Sequence, residues 1–336
     1  MNIIGFPGFG IGPFAINPVA FSVFGFDIVW YGMILTLGIV CGILYAFWRA
    51  VKSEGISTDA MMDIAIFAIP SAAIGSRIYF ILFNLDQFPT FRSMFQLRMA
   101  GLAIYGAIIA AVAVTFAVCK FKKLPFLKVL DATAPAIMLG QIIGRWGNFI
   151  NAEAFGTATD LSWRMSIVGV GEVHPTFLYE SLWNLLGFAL INLILYRRKK
   201  FDSQIFLTYI AWYGFGRMLI EGLRVDSLML GSFRISQIIG GLCFVGGVIL
   251  IIWLSARAKI KALENDPEYQ NVYSSAIAKI SEETKISEEA AQREEQAISN
   301  ENEKEKDETT EEIDAAESEE SQEGGIKTEA EDAKEA

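Results

Sequence analysis

Three stretches of this 336-residue sequence set ionisable and amide side chains within otherwise apolar surroundings. The densest is Gly144-Arg145-Trp146-Gly147-Asn148-Phe149-Ile150-Asn151-Ala152-Glu153-Ala154-Phe155-Gly156. If this stretch is helical, Arg145 and Asn148 lie three residues apart on one face. A guanidinium is a planar fork of donors suited to phosphate, and Gly144, Gly147 and Gly156 let backbones or a lipid headgroup come close. The second stretch runs from Tyr213 to Arg224. Its Tyr213, Arg217, Glu221 and Arg224 are spaced four, four and three, the spacing of one helical face. The third, His174-Pro175-Thr176-Phe177-Leu178-Tyr179-Glu180, opens an apolar run with proline, which suits a first helical turn, and puts Glu180 about one turn further in. Tyr31 in Trp30-Tyr31-Gly32 and Tyr105 in Gly101-Leu102-Ala103-Ile104-Tyr105-Gly106 are weaker candidates of the same kind. The competing structural readings are an Arg–Glu pair that only fixes packing around Arg145, and a ladder of intrahelical ion pairs along Arg217, Glu221 and Arg224.

Other chemistries find little support. There is no Gly-Lys-Ser/Thr phosphate loop, no GxSxG elbow and no paired metal carboxylates, which disfavours ATP hydrolysis and serine-type hydrolysis. His174 is the single histidine, and Cys41, Cys119 and Cys243 lie far apart in apolar runs. Neither a zinc site nor a disulfide framework is expected, and no metal or cofactor is required.

The elements that must carry these residues are membrane spans. The chain is 53% hydrophobic, with a mean hydropathy of +0.38, which points to an all-α integral membrane protein. Runs of about 20 apolar residues predict about seven transmembrane helices near Val23–Trp48, Met61–Phe83, Leu102–Cys119, Val129–Ile150, Thr176–Tyr196, Ile205–Leu223 and Ile235–Leu254. Basic residues crowd the connections after the first, third, fifth and seventh runs, so these face the cytoplasm and the topology is N-out, C-in. The three polar stretches then sit at the outward ends of the fourth, fifth and sixth spans, where unpaired charge is costly. The net charge of −10 conceals two regions. Residues 264–336 hold 25 acidic and 7 basic residues, net −18, whereas residues 1–263 hold 13 and 21, net +8. The expected organisation is a transmembrane catalytic domain over 1–263 and a disordered acidic cytoplasmic tail over 264–336, with transient helix around Ser281–Ala297. No internal repeat is evident, which weakens a secondary-transporter reading.

The stretch GRWGNFINAEAFG closely resembles the signature of bacterial prolipoprotein diacylglyceryl transferases, and WYG, GLAIYG, HPTFLYE and YGFGRMLIEGLR follow in that family's order. The resemblance covers roughly Phe24 to Leu254. It implies a seven-span enzyme of the bacterial plasma membrane with its site toward the outer leaflet. Its substrates would be phosphatidylglycerol and the lipobox cysteine of preprolipoproteins, with glycerol phosphate released and no nucleic acid involved. It carries Arg145, Asn148, Glu153 and Gly156 onto the signature positions, and Tyr31, Glu180, Tyr213, Arg217, Glu221 and Arg224 onto the family's other polar positions. Many members have histidine where this chain has Tyr105, and that histidine is the usual candidate base for the thiol. A phenol of pKa near 10 is a poor base at neutral pH, while a thiol near 8.5 needs little help to ionise. Arg145 and Arg217 are then expected to hold the phosphate as the thiolate displaces it. An anionic-lipid transporter or flippase would use the same arginines without chemistry, and a scaffold would depend on the tail.

Overall fold

The computed structural model describes residues 1–88, 90–94, 101, 103–225, 229–231, 233–272 and 274–296. Two compact units divide the chain, Met1–Lys259 and Ile260–Ala336. In the first, the helices are α1 (Trp30–Arg49), α2 (Thr58–Phe83), the single turn α3 (Phe91–Met94), α4 (Ile104–Lys122), α5 (Phe126–Asn151), α6 (Thr176–Leu190), α7 (Gln204–Ile220) and the start of α8 (Ile235–Glu264). Among the described residues, six helices are long and apolar enough to cross a membrane. The remaining predicted span corresponds to α7, whose 17 residues sit at the lower limit for a crossing.

The helices are turned inside out relative to a water-soluble bundle. Large side chains face outward, with Leu44 65%, Leu193 66% and Leu242 69% exposed. In water such a surface would be an aggregation liability; against lipid it is the expected one. Small residues fill the contacts instead, because van der Waals packing replaces the hydrophobic effect between helices in a bilayer. Gly38 and Gly42, one turn apart on α1, lie against Gly140 and Ala136 of α5, and a methyl group on Gly42 would come within 3.0 Å of the Ala136 carbonyl. Gly75 of α2 and Gly106 of α4 meet in the same way. The chain is a membrane protein by this surface and these spans.

Strands, which the apolar pattern did not predict, fill the first 29 residues. The first helix begins at Trp30, so the span expected from Val23 starts too early. Strands β1 (Asn2–Phe6) and β2 (Ile11–Ile16) join β5 (Met165–Ile167) and β6 (Gly171–Val173) in an antiparallel sheet of order β2-β1-β5-β6, while β3 (Val19–Val23) and β4 (Phe26–Val29) form a separate hairpin. A further pair, β7 (Met229–Leu230) and β8 (Phe233–Arg234), precedes α8. The four-stranded sheet covers the end of α5 and the start of α6. Ile4, Met165, Ile167, Val173 and Phe177 make one buried cluster, and Asn2 Nδ2 donates to the Ile150 carbonyl at 2.8 Å.

At the opposite end of the bundle, α1 and α6 each run on into π-helical turns, Ala50–Glu54 and Ile191–Leu195. Wide turns of this kind redirect side chains; one sets Asn192 against Tyr45 and Arg49, and the other carries Glu54 into a buried polar network. Lys199 Nζ lies 2.5 Å from Glu54 Oε2 and 2.8 Å from Asp131 Oδ2. Asp131, fully buried, also accepts from the backbone amides of Ser203 and Phe206, both at 2.8 Å. Burial opposes the charge on Lys199, but the hydrogen-bonded carboxylates of Asp131 and Glu54 outweigh it and hold the ammonium above its ordinary value. A raised amine contributes stability that is complete below its unfolded pKa, about 10.4, and is lost as pH climbs through the folded value. Lys199→Ala strands two buried carboxylates, and its expected cost is about 3–5 kcal/mol. Thermal unfolding in detergent checks this, with the exposed Lys120→Ala expected to leave the transition unmoved.

In the second unit the described tail residues 267–272 and 274–296 are helical and exposed. Glu, Lys and Ala favour helix locally; the end of the stretch expected to be transiently helical, Ala297, and the rest of the tail to residue 336 lie outside the described residues.

Candidate functional site

The alternation of the spans brings the start of α1, α4 and α6 and the end of α5 and α7 to one end of the bundle. Arg145 and Asn148 occupy the last two turns of α5 and share a hydrogen bond, Nη1 to Oδ1, at 3.3 Å. Past the helix, Ala152 and Ala154 both adopt left-handed backbone, with φ of 51° and 56°. Non-glycine residues pay for that conformation. Here it folds the chain back so that Glu153 N bonds the Asn148 carbonyl and Glu153 Oε1 accepts from Asn148 Nδ2 at 2.8 Å. The Thr176 hydroxyl donates to the Ala154 carbonyl and ties this turn to the start of α6.

Glu180 is the hub. Its side chain, 4% exposed, meets three guanidinium groups from three elements. Arg145 Nη2 lies 2.5 Å from Oε2, Arg217 Nη1 3.1 Å from Oε1, and Arg224 Nη1 3.2 Å from Oε1. Glu221, 2% exposed, pairs with Arg217 Nη2 at 2.6 Å and lies 4.0 Å from Arg224 Nε. Among the described residues, three arginines therefore face two buried glutamates. This is more than a packing pair or an intrahelical ladder: the partners come from α5, α6, α7 and the segment after it, and three converging guanidinium groups suit an anion.

One expectation is corrected. Arg224 does not share a helical face with Tyr213, Arg217 and Glu221. The helix ends at Ile220, Glu221–Leu223 form a 3-10 turn, and Arg224 is extended with ψ 147°. The turn lets a residue seven beyond Arg217 reach back to the same carboxylate. Arg224 bridges to Gly156, whose amide donates to the His174 carbonyl at 3.0 Å. A methyl group on Gly156 would meet His174 Cβ at 2.7 Å and the Leu223 carbonyl at 3.0 Å, so the close approach explains glycine there.

The tyrosines stand around this cluster. Tyr31, in the first turn of α1, packs on Gly147, where an added Cβ would lie 2.7 Å from its ring. Tyr213 stacks on Tyr209, with centroids 5.9 Å apart. Tyr105 starts α4, 38% exposed and 6.4 Å from the Tyr79 ring; its neighbour Leu102 lies outside the described residues. His174 Nδ1 is 3.2 Å from the Tyr179 hydroxyl, which accepts from Trp163 Nε1 at 2.8 Å. Arg234 was not anticipated. Its Nη1 donates to the Glu221 carbonyl, adding a further cation beside the cluster. The available signal was a basic residue immediately before α8, where the helix dipole disfavours one. Among the described residues, no group of three His, Cys, Asp or Glu side chains is arranged to hold a metal ion.

Comparison with known proteins gives a consistent result. The family described as prolipoprotein diacylglyceryl transferase matches residues 18–253. A phosphatidylglycerol–prolipoprotein diacylglyceryl transferase of Finegoldia magna is 49% identical over 238 residues, 70% of this chain and 95% of the relative. Proteins of the same name from Clostridioides difficile and Limosilactobacillus reuteri are 44% and 41% identical, covering 73% and 76% of this chain and 98% and 95% of their own length.

Proposed function

We propose, given that this chain belongs to the prolipoprotein diacylglyceryl transferase family, that it moves the diacylglyceryl group of phosphatidylglycerol onto the lipobox cysteine of preprolipoproteins. The observation that carries this reading is the convergence of Arg145, Arg217 and Arg224 on buried Glu180 at one end of the spans. A phosphodiester can enter such a cluster and take over guanidinium forks from the carboxylate.

In the proposed reaction the cysteine sulfur attacks C3 of the diacylglyceryl moiety. The C3–O bond breaks with its electron pair going to the phosphate oxygen, glycerol phosphate leaves, and a thioether remains. The thiol proton passes to water or to the departing phosphate before or during attack; with a thiol pKa near 8.5 this step demands little. The demanding step is charge growth on the phosphate. Arg145 and Arg217 stabilise it, an electrostatic contribution of several kcal/mol, on the order of 3, in a water-poor site. Asn148 and Glu153 hold Arg145 in place, Glu180 and Glu221 hold Arg217 and Arg224, and Gly156 leaves room beside Arg224. Tyr31, Tyr105 and Tyr213 line the approach for headgroup and peptide.

The positive-inside rule supports a site opening toward the outer leaflet of the bacterial plasma membrane, where phosphatidylglycerol arrives laterally and the preprolipoprotein from the aqueous side. Residues 1–263 then form the catalytic unit, and the acidic tail of 264–336 is dispensable for transfer.

The test is direct. Purified protein in phosphatidylglycerol nanodiscs, given a lipobox peptide, should add one diacylglyceryl mass to the cysteine and release glycerol phosphate. Lipid crossing between leaflets with an unmodified peptide would instead establish the transporter reading.

A further inference from the structure

The β3–β4 hairpin has two unlike faces. Its register pairs Phe21 with Ile28, Ser22 with Asp27 and Val23 with Phe26. Successive strand residues point to opposite faces, so Phe21, Val23, Phe26 and Ile28 share one side and Ser22 and Asp27 the other. Ser22 Oγ bonds Asp27 Oδ1 at 2.5 Å on the polar side. The apolar side is open, with Phe21 50%, Val23 42% and Phe26 61% exposed.

The tip is stranger. Phe24 and Gly25 link the strands with φ of 51° and 79°, the signs of a type I′ turn. Asn, Asp or Gly is the usual first residue of that turn, and a phenylalanine there is strained. The ring it presents is 97% exposed. A two-stranded hairpin with an open apolar face is at best marginal in water.

The setting indicates what covers it. The base of the hairpin is pinned by the Trp30 amide donating to the Pro18 carbonyl at 2.9 Å, and α1 starts at Trp30. Exposed Trp30, Met33, Leu37, Val40 and Leu44 continue along α1 as a lipid-facing stripe, spaced three and four apart. The open face of the hairpin is thus continuous with the bilayer-facing surface, at the depth where aromatic residues gather.

We propose that β3–β4 lies in the membrane interface at the site end of the bundle, its apolar face on lipid and Phe24 inserted as an anchor. Since Tyr31 packs on Gly147 immediately beyond it, the anchor sets the depth of the site mouth relative to lipid headgroups. This rests on the proposed function only for which leaflet is contacted.

The experiment uses the full chain in nanodiscs of phosphatidylglycerol and phosphatidylcholine, with a benzophenone amino acid placed in turn at Phe24, Phe26 and Ser22. Irradiation should give phospholipid adducts at 24 and 26 in several-fold higher yield than at 22. Phe24→Asn, which suits the turn and should fold, is expected to lower the adduct yield at 26 several-fold. Equal yields at 24 and 22, absence of lipid adducts at 24 and 26, or adducts formed only with added lipobox peptide or with a second copy of the chain would each overturn the assignment. Because the readout is a lipid adduct and not transfer, failure here leaves the proposed reaction untouched.

Discussion

Glu180→Gln should disable the protein twice over, abolishing measurable transfer and lowering stability by about 3–5 kcal/mol. The change alters almost no volume. It removes a negative charge that Arg145, Arg217 and Arg224 all share, leaving three cations converging on a neutral amide, with Glu221 still beside two of them. Breaking one side of a buried ion cluster costs more than forming it contributes, because the stranded charges keep their desolvation penalty. Thermal unfolding and the peptide-transfer assay read the two effects separately. Glu153→Gln is the informative control: Glu153 is exposed and meets the cluster through Asn148, so a mild loss is expected. Equal damage from both substitutions would mean that overall charge, and not the hub, matters.

Arg145→Ala is expected to lower kcat by about 100–1000-fold, the range for losing one preorganised donor to a developing oxyanion. Arg145→Lys should recover little of this. A guanidinium can bond Glu180 and Asn148 through separate nitrogens, as it does here, whereas an ammonium is a point charge without that fork. The fold should survive either change better than it survives loss of Glu180, because Arg217 and Arg224 still neutralise the hub. Single-turnover transfer with saturating lipid separates the chemical step from lipid binding; unchanged rates with Arg145→Ala would remove Arg145 from the phosphate site.

The helices were legible because a span is announced locally, by twenty residues of composition, and the polar stretches because charge in such a run is conspicuous. The membrane class, the approximate helix ends and the residues of the arginine cluster all follow from that. What escaped was non-local or two-sided in meaning. The residues from Val23 to Val29 look like the start of a span because an apolar strand at a bilayer surface has the same composition as a helix within it. The role of Glu180 depends on pairing with residues 35, 37 and 44 positions away, which spacing on one helix cannot reveal. Arg224 was placed on a helix because its spacing fits one, but the helix ends at Ile220 and tightens into a 3-10 turn before it. Asp131 carried a usable signal, a carboxylate within an apolar run, yet its partner Lys199, and Glu54 that shares that ammonium, lie in turns outside the predicted spans.

The two ends of this bundle are fastened with different kinds of lock. At the far end, Asp131 holds an ammonium and two backbone amides at once, so a passing anion would have to undo bonds that it cannot replace. Around Glu180, every bond is one that a phosphate oxygen can make equally well with the same guanidinium groups. A phosphodiester entering the proposed site would therefore compete for bonds at one end alone, while the other end keeps its own and the sheet-covered contact of α5 with α6 is left in place.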